Sequence, residues 1–307
     1  MSASQHPAEA ILHRLEWTVI RRLDGLLQGD YRSLFRGFGI DFADLREYQP
    51  YDDVRLIDWN VTARTQTPHV RVYNEDREVT AWFLLDLSPS VDFGSREVSK
   101  RQILAEFTAV LSRLLTRQGN KVGAILFNGV EDFVIPPRSG RAQVLYILDR
   151  IQSQPRLLRA PHADLAAFLG RAFSTIKRRS IVFVLSDYIA KPGWERRLFD
   201  LNHRHEAVAV RLVDPLEMAL PNLGLLVFQD AESGEQLTVD TNDKAFRRRF
   251  AAEAEKAEER ALEAFGDAGM DVLELSTDDD LLDAVLRFAG MRKAHSARTG
   301  LQGGGVA

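Results

Sequence analysis

The chain has 307 residues, 45% of them hydrophobic and 27% charged, with 40 basic and 44 acidic side chains and a net charge of -4. That length suits one large α/β domain or two small ones, and the charge balance gives no global pull toward nucleic acid or an anionic membrane. There is no cysteine, which excludes disulfides, thiolate zinc sites, iron–sulfur clusters and cysteine nucleophiles.

Cysteine-free composition fits a reducing compartment. No apolar run approaches the roughly 18 residues that span a bilayer. The start, with His6-Pro7-Ala8-Glu9, lacks a basic-then-apolar leader pattern. The expectation is a cytoplasmic protein without a membrane span.

The first element expected is a helix over 8–27, where Ile11, Leu15, Val19 and Leu23 form one apolar stripe and Gly29-Asp30 stops it. Gly37-Phe38-Gly39 resembles half a dinucleotide fingerprint, but Phe42 stands where the third glycine belongs, so two turn glycines are the better reading. From Leu45 to Asn60 acids, arginines and aromatics alternate without a helix or strand period. Such a segment buries little by itself. It reads as a clamp laid over another surface by Arg–carboxylate pairs, with Arg46, Arg55 and Arg64 as cations, Asp52, Asp53 and Asp58 as anions and Trp59 as apolar anchor. The alternative is a solvated loop.

His69 to Tyr73 alternates as a strand should, and Glu78 to Asp86 follows as a strand buried on both faces. Its run Trp82-Phe83-Leu84-Leu85 ends in Asp86-Leu87-Ser88-Pro89-Ser90. Asp86, Ser88 and Ser90 are hard oxygen donors suited to Mg²⁺ or Mn²⁺, placed just past the carboxyl end of a strand, where open α/β sheets bind ligands. The same residues also serve as ordinary turn formers and caps.

A helix is expected over 95–117, then a strand over 121–127. Asn128-Gly129 marks a hairpin turn to a partner strand over 131–135 that Pro136-Pro137 ends. Helices over 142–151 and 163–174 precede a second fully buried strand, 180–185, closed by Ser186-Asp187. A helix over 195–203, a strand over 207–213, an inserted hairpin (224–228 and 236–239), a long helix over 243–265, a strand over 271–275 and a helix over 278–289 complete the chain. Strands alternating with helices argue for a mostly parallel sheet covered on both faces. His203-Arg204-His205 reads as a solvated helix end, and Arg178-Arg179 and Arg247-Arg248-Arg249 as solvated runs rather than a nucleic-acid patch. No nucleophile–base–orienter set is readable.

If the two buried strands are neighbours, Asp86 with its serines and Asp187 can meet at one point. At that point the core, from about residue 80 to 290, resembles the von Willebrand factor A fold, in which Asp-x-Ser-x-Ser and a later Asp hold Mg²⁺ in an adhesion-type site. The residues Leu45-Arg46-Glu47-Tyr48, Asp52-Asp53-Val54-Arg55, Ile57-Asp58-Trp59 and Ala63-Arg64, leading to Leu85-Asp86-Leu87-Ser88-Pro89-Ser90, resemble the DUF58 family over most of the chain. That resemblance implies an accessory role beside a MoxR-type AAA+ ATPase and a short soluble form lacking the membrane helices many members carry. The resemblance to the adhesion-type site implies a threonine on an intermediate loop. Ala163 stands there, which leaves two readings: Asp164 beside it substitutes as a ligand through a water, or the site is weak or empty.

The expected architecture is therefore an α/β, doubly wound, mostly parallel sheet of von Willebrand factor A or Rossmann-like type. An N-terminal helix and clamp segment (1–78) precede the main domain (79–291), and a disordered tail (292–307) follows it. The expected function is a non-enzymatic protein-binding adaptor. Its metal ligands would be Asp86, Ser88, Ser90, Asp187 and Asp164, and an acidic residue of a protein ligand would complete the ion's shell. A metal-dependent hydrolase using the same ion to activate water is the alternative.

Overall fold

The computed structural model describes residues 7–23, 44–49, 54, 57, 59–72, 79–157, 164–229 and 234–290. The first half runs α1 (Pro7–Leu15, continued by a π-helical turn, Glu16–Ile20), β1 (Asp44–Glu47), α2 (Trp59–Thr65), β2 (His69–Val72), β3 (Thr80–Asp86), a 3-10 turn (Pro89–Asp92), α3 (Lys100–Arg117), β4 (Lys121–Phe127), β5 (Asp132–Arg138) and α4 (Arg141–Ser153). The second half runs α5 (Leu165–Thr175), β6 (Ile181–Ser186), α6 (Trp194–Arg204), β7 (Glu206–Val213), α7 (Pro215–Met218), β8 (Leu225–Gln229), β9 (Gln236–Asp240), α8 (Lys244–Asp267), β10 (Asp271–Ser276) and α9, residues 281–290.

Six strands form the main sheet in the order β10-β7-β6-β3-β4-β5. All neighbours are parallel except β4 and β5, the hairpin that Asn128-Gly129 announces. From β3 the chain crosses through α3 to β4 on one side, and from β6 it crosses through α6 to β7 on the other. Helices on opposite faces keep both crossovers right-handed. The order therefore reverses between β3 and β6, and the carboxyl ends of those two strands form the crevice where such sheets bind ligands.

The side chains of β3 alternate between two apolar layers, as a pleated strand must. Ala81, Phe83 and Leu85 enter the layer covered by α1, α3, α4 and α9. Trp82 and Leu84 enter the layer covered by α5, α6 and the carboxyl-terminal part of α8. Phe83 stacks on Phe183 at a centroid distance of 5.1 Å, directly across the β3–β6 register, and Phe107 meets Phe183 edge-on at 6.5 Å. Burying each such ring contributes roughly 2–3 kcal/mol. Both layers are continuous along the sheet, which pins the register of β3 against β6 and with it the site at their ends.

The N-terminal helix joins the main core. Leu12, Leu15, Ile20 and Leu23 are buried in the same layer as α3 and α4, and Glu16 accepts from Arg113 at 2.8 Å. The clamp expectation fares differently. β1 and β2 form their own antiparallel pair, outside the six-stranded sheet, with Ile57 bridging to Val70. Trp59, expected as the buried anchor, is 70% exposed. It opens the short helix α2, and a seven-residue helix leaves one face in solvent. Asp52, Asp53, Arg55 and Asp58 lie outside the described residues, as does the expected tail, 292–307.

Candidate functional site

Because β3 and β6 pair with Leu85 opposite Leu185, Asp86 and Ser186 emerge side by side at the carboxyl edge. Ser186 Oγ donates to Asp86 Oδ2 at 2.7 Å, and the Ser88 amide donates to Asp86 Oδ1 at 3.0 Å. Ser88 Oγ and Ser90 Oγ lie 3.2 Å apart. Asp86 and Ser88 are almost wholly buried. Burial first, and the charge of Asp187 second, push the Asp86 carboxyl up to about 6. Among the described residues no cationic side chain is bonded to it.

The next residues hold Asp187 in place. Its Oδ1 accepts from the Ile189 amide at 3.0 Å, and Ser186 Oγ accepts from the Tyr188 amide at 3.0 Å. Tyr188 takes the left-handed backbone (φ 57°), a conformation that strains a non-glycine residue by about 1–2 kcal/mol. The hydroxyl of Tyr188 donates to Val184 O at 2.9 Å, and its ring packs on Trp194 and Phe265. Those contacts hold the strained turn.

The cation of the site is Lys100, whose side chain is fully buried. Its Nζ donates to Asp187 Oδ2 at 2.8 Å and to Glu217 Oε1 at 2.5 Å. Burial alone would lower the Lys100 pKa; the two carboxylates outweigh it and leave the ammonium above its ordinary value. Its position follows from the loop before α3. A Cβ at Gly94 would lie 2.6 Å from both Ser99 Cα and Val98 O, so only glycine lets this loop fold back on itself. Phe93 O then accepts from the Lys100 amide at 2.9 Å, and Ser99 caps α3 through the Gln102 amide.

Asp214 joins the surrounding loops. Its Oδ2 accepts from the Ser95 amide at 2.8 Å, from Ser95 Oγ at 3.0 Å and from Thr277 Oγ1 at 2.8 Å; its Oδ1 caps α7 through the Leu216 amide. Although burial opposes it, these donors hold the Asp214 carboxyl below its ordinary range. Glu217 completes a capping box with Asp214, its Oε2 accepting from the Asp214 amide at 3.2 Å. A cavity of about 480 Å³ adjoins the bridge, lined by Asp187, Ile189, Trp194, Glu217, Met218 and Ala257 among others.

The structure thus brings Asp86, Ser88, Ser90 and Asp187 to one edge, as expected from sequence. Asp164 is used otherwise: it is exposed, and its Oδ1 caps α5 by accepting from the Ala167 amide at 2.8 Å. Ala163 lies outside the described residues. Among the described residues no three Asp, Glu or His side chains converge as a metal-ligating group. The oxygen-only set of Asp86, Ser88 and Ser90 still fits a hard divalent cation: a buried carboxylate without its own counter-ion beside two hydroxyls. Asp187 fits less well, its second oxygen being held by Lys100.

Sequence reasoning placed Ser186 beside Asp187 but missed Lys100 and Glu217. A signal existed. Lys100-Arg101 opens a long apolar helix, and cations at a helix N-terminus oppose its dipole. Both are buried, and both have acidic partners: Asp187 and Glu217 for Lys100, Asp92 for Arg101.

His205 corrects another expectation. Instead of a solvated helix end, it is 3% exposed, edge-on to Phe173, with neither ring nitrogen hydrogen-bonded to a described residue. Burial first, then Arg204 and Arg179, hold its pKa down to about 4. The unfolded chain takes up a proton near pH 6.5 that the folded chain refuses until about 4. Its contribution is therefore complete above pH 6.5 and is lost as pH falls toward 4. Asp86, raised to about 6, pulls the opposite way over part of that window. The measurement is thus a difference: between pH 7.5 and 4.5 in denaturant titrations, His205→Phe should lose roughly 1–2 kcal/mol less than wild type. Parallel pH profiles for the two proteins would contradict the assignment.

Topology and site together define a doubly wound α/β protein with a polar crevice at the β3–β6 switch point. The chain belongs to the family described as Protein of unknown function DUF58, whose model matches residues 44–260. It is 36% identical over 286 residues, 92% of this chain and 89% of the relative, to Uncharacterized protein Rv1480 of Mycobacterium tuberculosis, and equally so to Uncharacterized protein Mb1516 of Mycobacterium bovis. Solved structures it is similar to include an aerotolerance-related membrane protein of Bacteroides fragilis (15% identity, 70% of this chain and 99% of that one, TM-score 0.47). Another is the SpRpn10 VWA domain (12% identity, 68% and 94%, TM-score 0.37). Among the described residues no helix is long and apolar enough to cross a membrane.

Proposed function

We propose that this chain is a non-enzymatic protein-binding adaptor working with a MoxR-type AAA+ ATPase in protein assembly or maturation. In this reading Asp86, Ser88 and Ser90 hold Mg²⁺ or Mn²⁺ at the carboxyl edge, with Asp187 adjoining them. Once bound, the ion supplies a Lewis-acid position open to a carboxylate of a protein ligand. The observation that carries this reading is Asp86 itself, a buried carboxylate that among the described residues accepts from the Ser186 hydroxyl and the Ser88 amide and has no cationic partner, with the Ser88 and Ser90 hydroxyls beside it. Ser186 and the Ser88 amide orient that carboxylate, and the wall formed by Tyr188, Trp194 and Phe265 keeps water from the turn behind it. The ATPase partner comes from the family resemblance.

Two measurements test it. An ion bound only by the folded chain raises the melting temperature by mass action. Millimolar Mn²⁺ should raise it by a few degrees in wild type, and Asp86→Asn should abolish the shift while still folding. The MoxR-type ATPase of the same host, co-expressed with the tagged chain, should co-purify with wild type and be lost from Asp86→Asn or in EDTA. Unchanged melting in millimolar Mg²⁺ and Mn²⁺ removes the metal. Failure of the purified pair to associate removes the ATPase.

A further inference from the structure

Lys100 brings a buried positive charge to a crevice whose other polar groups suit a cation. We infer that the Lys100 ammonium is the resident cation of this crevice, and that it competes with a divalent ion for Asp187. The inference rests on the metal reading above and adds what sets the ion's affinity. Among the described residues Asp86, Asp187 and Glu217 face this region, the Lys100 ammonium is bonded to the latter two, and Arg211 and Arg260 line the adjoining cavity without an ion pair to Asp187 or Glu217. Asp187 has one oxygen on the Ile189 amide and the other on Lys100, so an ion that takes Asp187 must displace or repel the ammonium.

With Asp187 and Glu217 in place the ammonium is needed, but stability does not account for the charged cluster as a whole. A buried ion pair is often no better than a well-packed apolar residue of similar size, and a cation at a helix N-terminus works against the dipole. The bridge also lies where a ligand can reach it: Asp187 and Glu217 both line the 480 Å³ cavity, and Glu217 keeps partial exposure on the single-turn helix α7. The crevice therefore rests with its charge partly neutralised from within, and a divalent ion enters against a local positive charge. This makes the wild-type site weak for divalent ions and dependent on where Lys100 sits.

The test is Mn²⁺ binding by calorimetry and by the paramagnetic signal of the free ion, on the full chain. Lys100→Met should bind Mn²⁺ at least tenfold more tightly than wild type, and adding Asp187→Asn to it should cancel that gain. Asp187→Asn alone should leave wild-type affinity within twofold, since Lys100 already withholds that carboxylate; this arm decides the matter if Lys100→Met fails to fold. A Lys100→Met affinity equal to or below wild type, or a tenfold loss in Asp187→Asn alone, overturns the inference and leaves the metal reading standing. Absence of Mn²⁺ binding in wild type, with a gain in Lys100→Met, supports the inference and limits the metal reading to the variant. No binding in either protein overturns both.

Discussion

Lys100→Met should lower the unfolding free energy by about 3–5 kcal/mol, because it strands two carboxylates without their cation. Asp187 is the costlier of the two: its side chain is 1% exposed, while that of Glu217 is 23% exposed. Burial already raises the Glu217 pKa against the lowering by Lys100, so without the ammonium Glu217 is expected to take up a proton or swing into the cavity. Methionine keeps the length and apolar stem of lysine, which limits the packing loss. Neutralising the partners as well, in Lys100→Met/Asp187→Asn/Glu217→Gln, should recover most of the loss. Urea unfolding midpoints compare the three proteins. A loss under 1 kcal/mol for Lys100→Met would mean the carboxylates relax into solvent, and Lys100 would then not be the counter-ion of a closed site.

Arg101→Ala should cost about 3 kcal/mol for a related reason. Arg101 is 6% exposed; Nη1 donates to Asp92 Oδ1 at 3.2 Å, and Nη2 donates to Ile151 O and Gln154 O, each at 2.8 Å. The guanidinium thus ties three elements together: the 3-10 turn after β3, the start of α3 and the end of α4. The last carbonyls of a helix have no partner within it, so truncation leaves buried acceptors at the end of α4 unsatisfied. Arg101→Lys should rescue less than half, since an ammonium does not reproduce the planar fork that reaches a carboxylate and two carbonyls together. Hydrogen exchange should localise the damage: amides near the end of α4 lose protection while those of β3 and β6 keep theirs. Full rescue by lysine would show that charge alone, not the fork, holds the junction.

Most of the architecture was legible because apolar periodicity is local. Ser-Ile-Val-Phe-Val-Leu at 180–185 has the continuous apolar run of a strand buried on both faces, and β6 is buried throughout. Asn128-Gly129 predicts the hairpin, and the hairpin makes β5 the antiparallel edge. The long helix before β10 was bounded within two residues, with Asp243 as its cap. Asp86, Ser88, Ser90 and Asp187 were legible because each follows directly on a buried strand.

What failed depended on partners distant in sequence. Trp59 is apolar, and composition alone suggested a buried anchor; its 70% exposure follows from sitting on a short helix beside a separate two-stranded ladder. Asp164 looked like a spare carboxylate and is a helix cap, a role decided by where α5 begins. His205 looked solvated by its arginine neighbour and is buried against Phe173.

The sequence by itself determined the strand and helix periods, the turn chemistry and the four polar residues at the ends of two buried strands, because each is written within a few consecutive residues. Only the tertiary structure decided that β3 and β6 are neighbours, and that Lys100, 87 positions from Asp187 and 117 from Glu217, lies between their carboxylates. Pattern carries no information about which distant charge fills a buried site. That choice is made by desolvation: an unpaired carboxylate in the interior is unfavourable enough that the fold must deliver a donor to it, from wherever in the chain one lies.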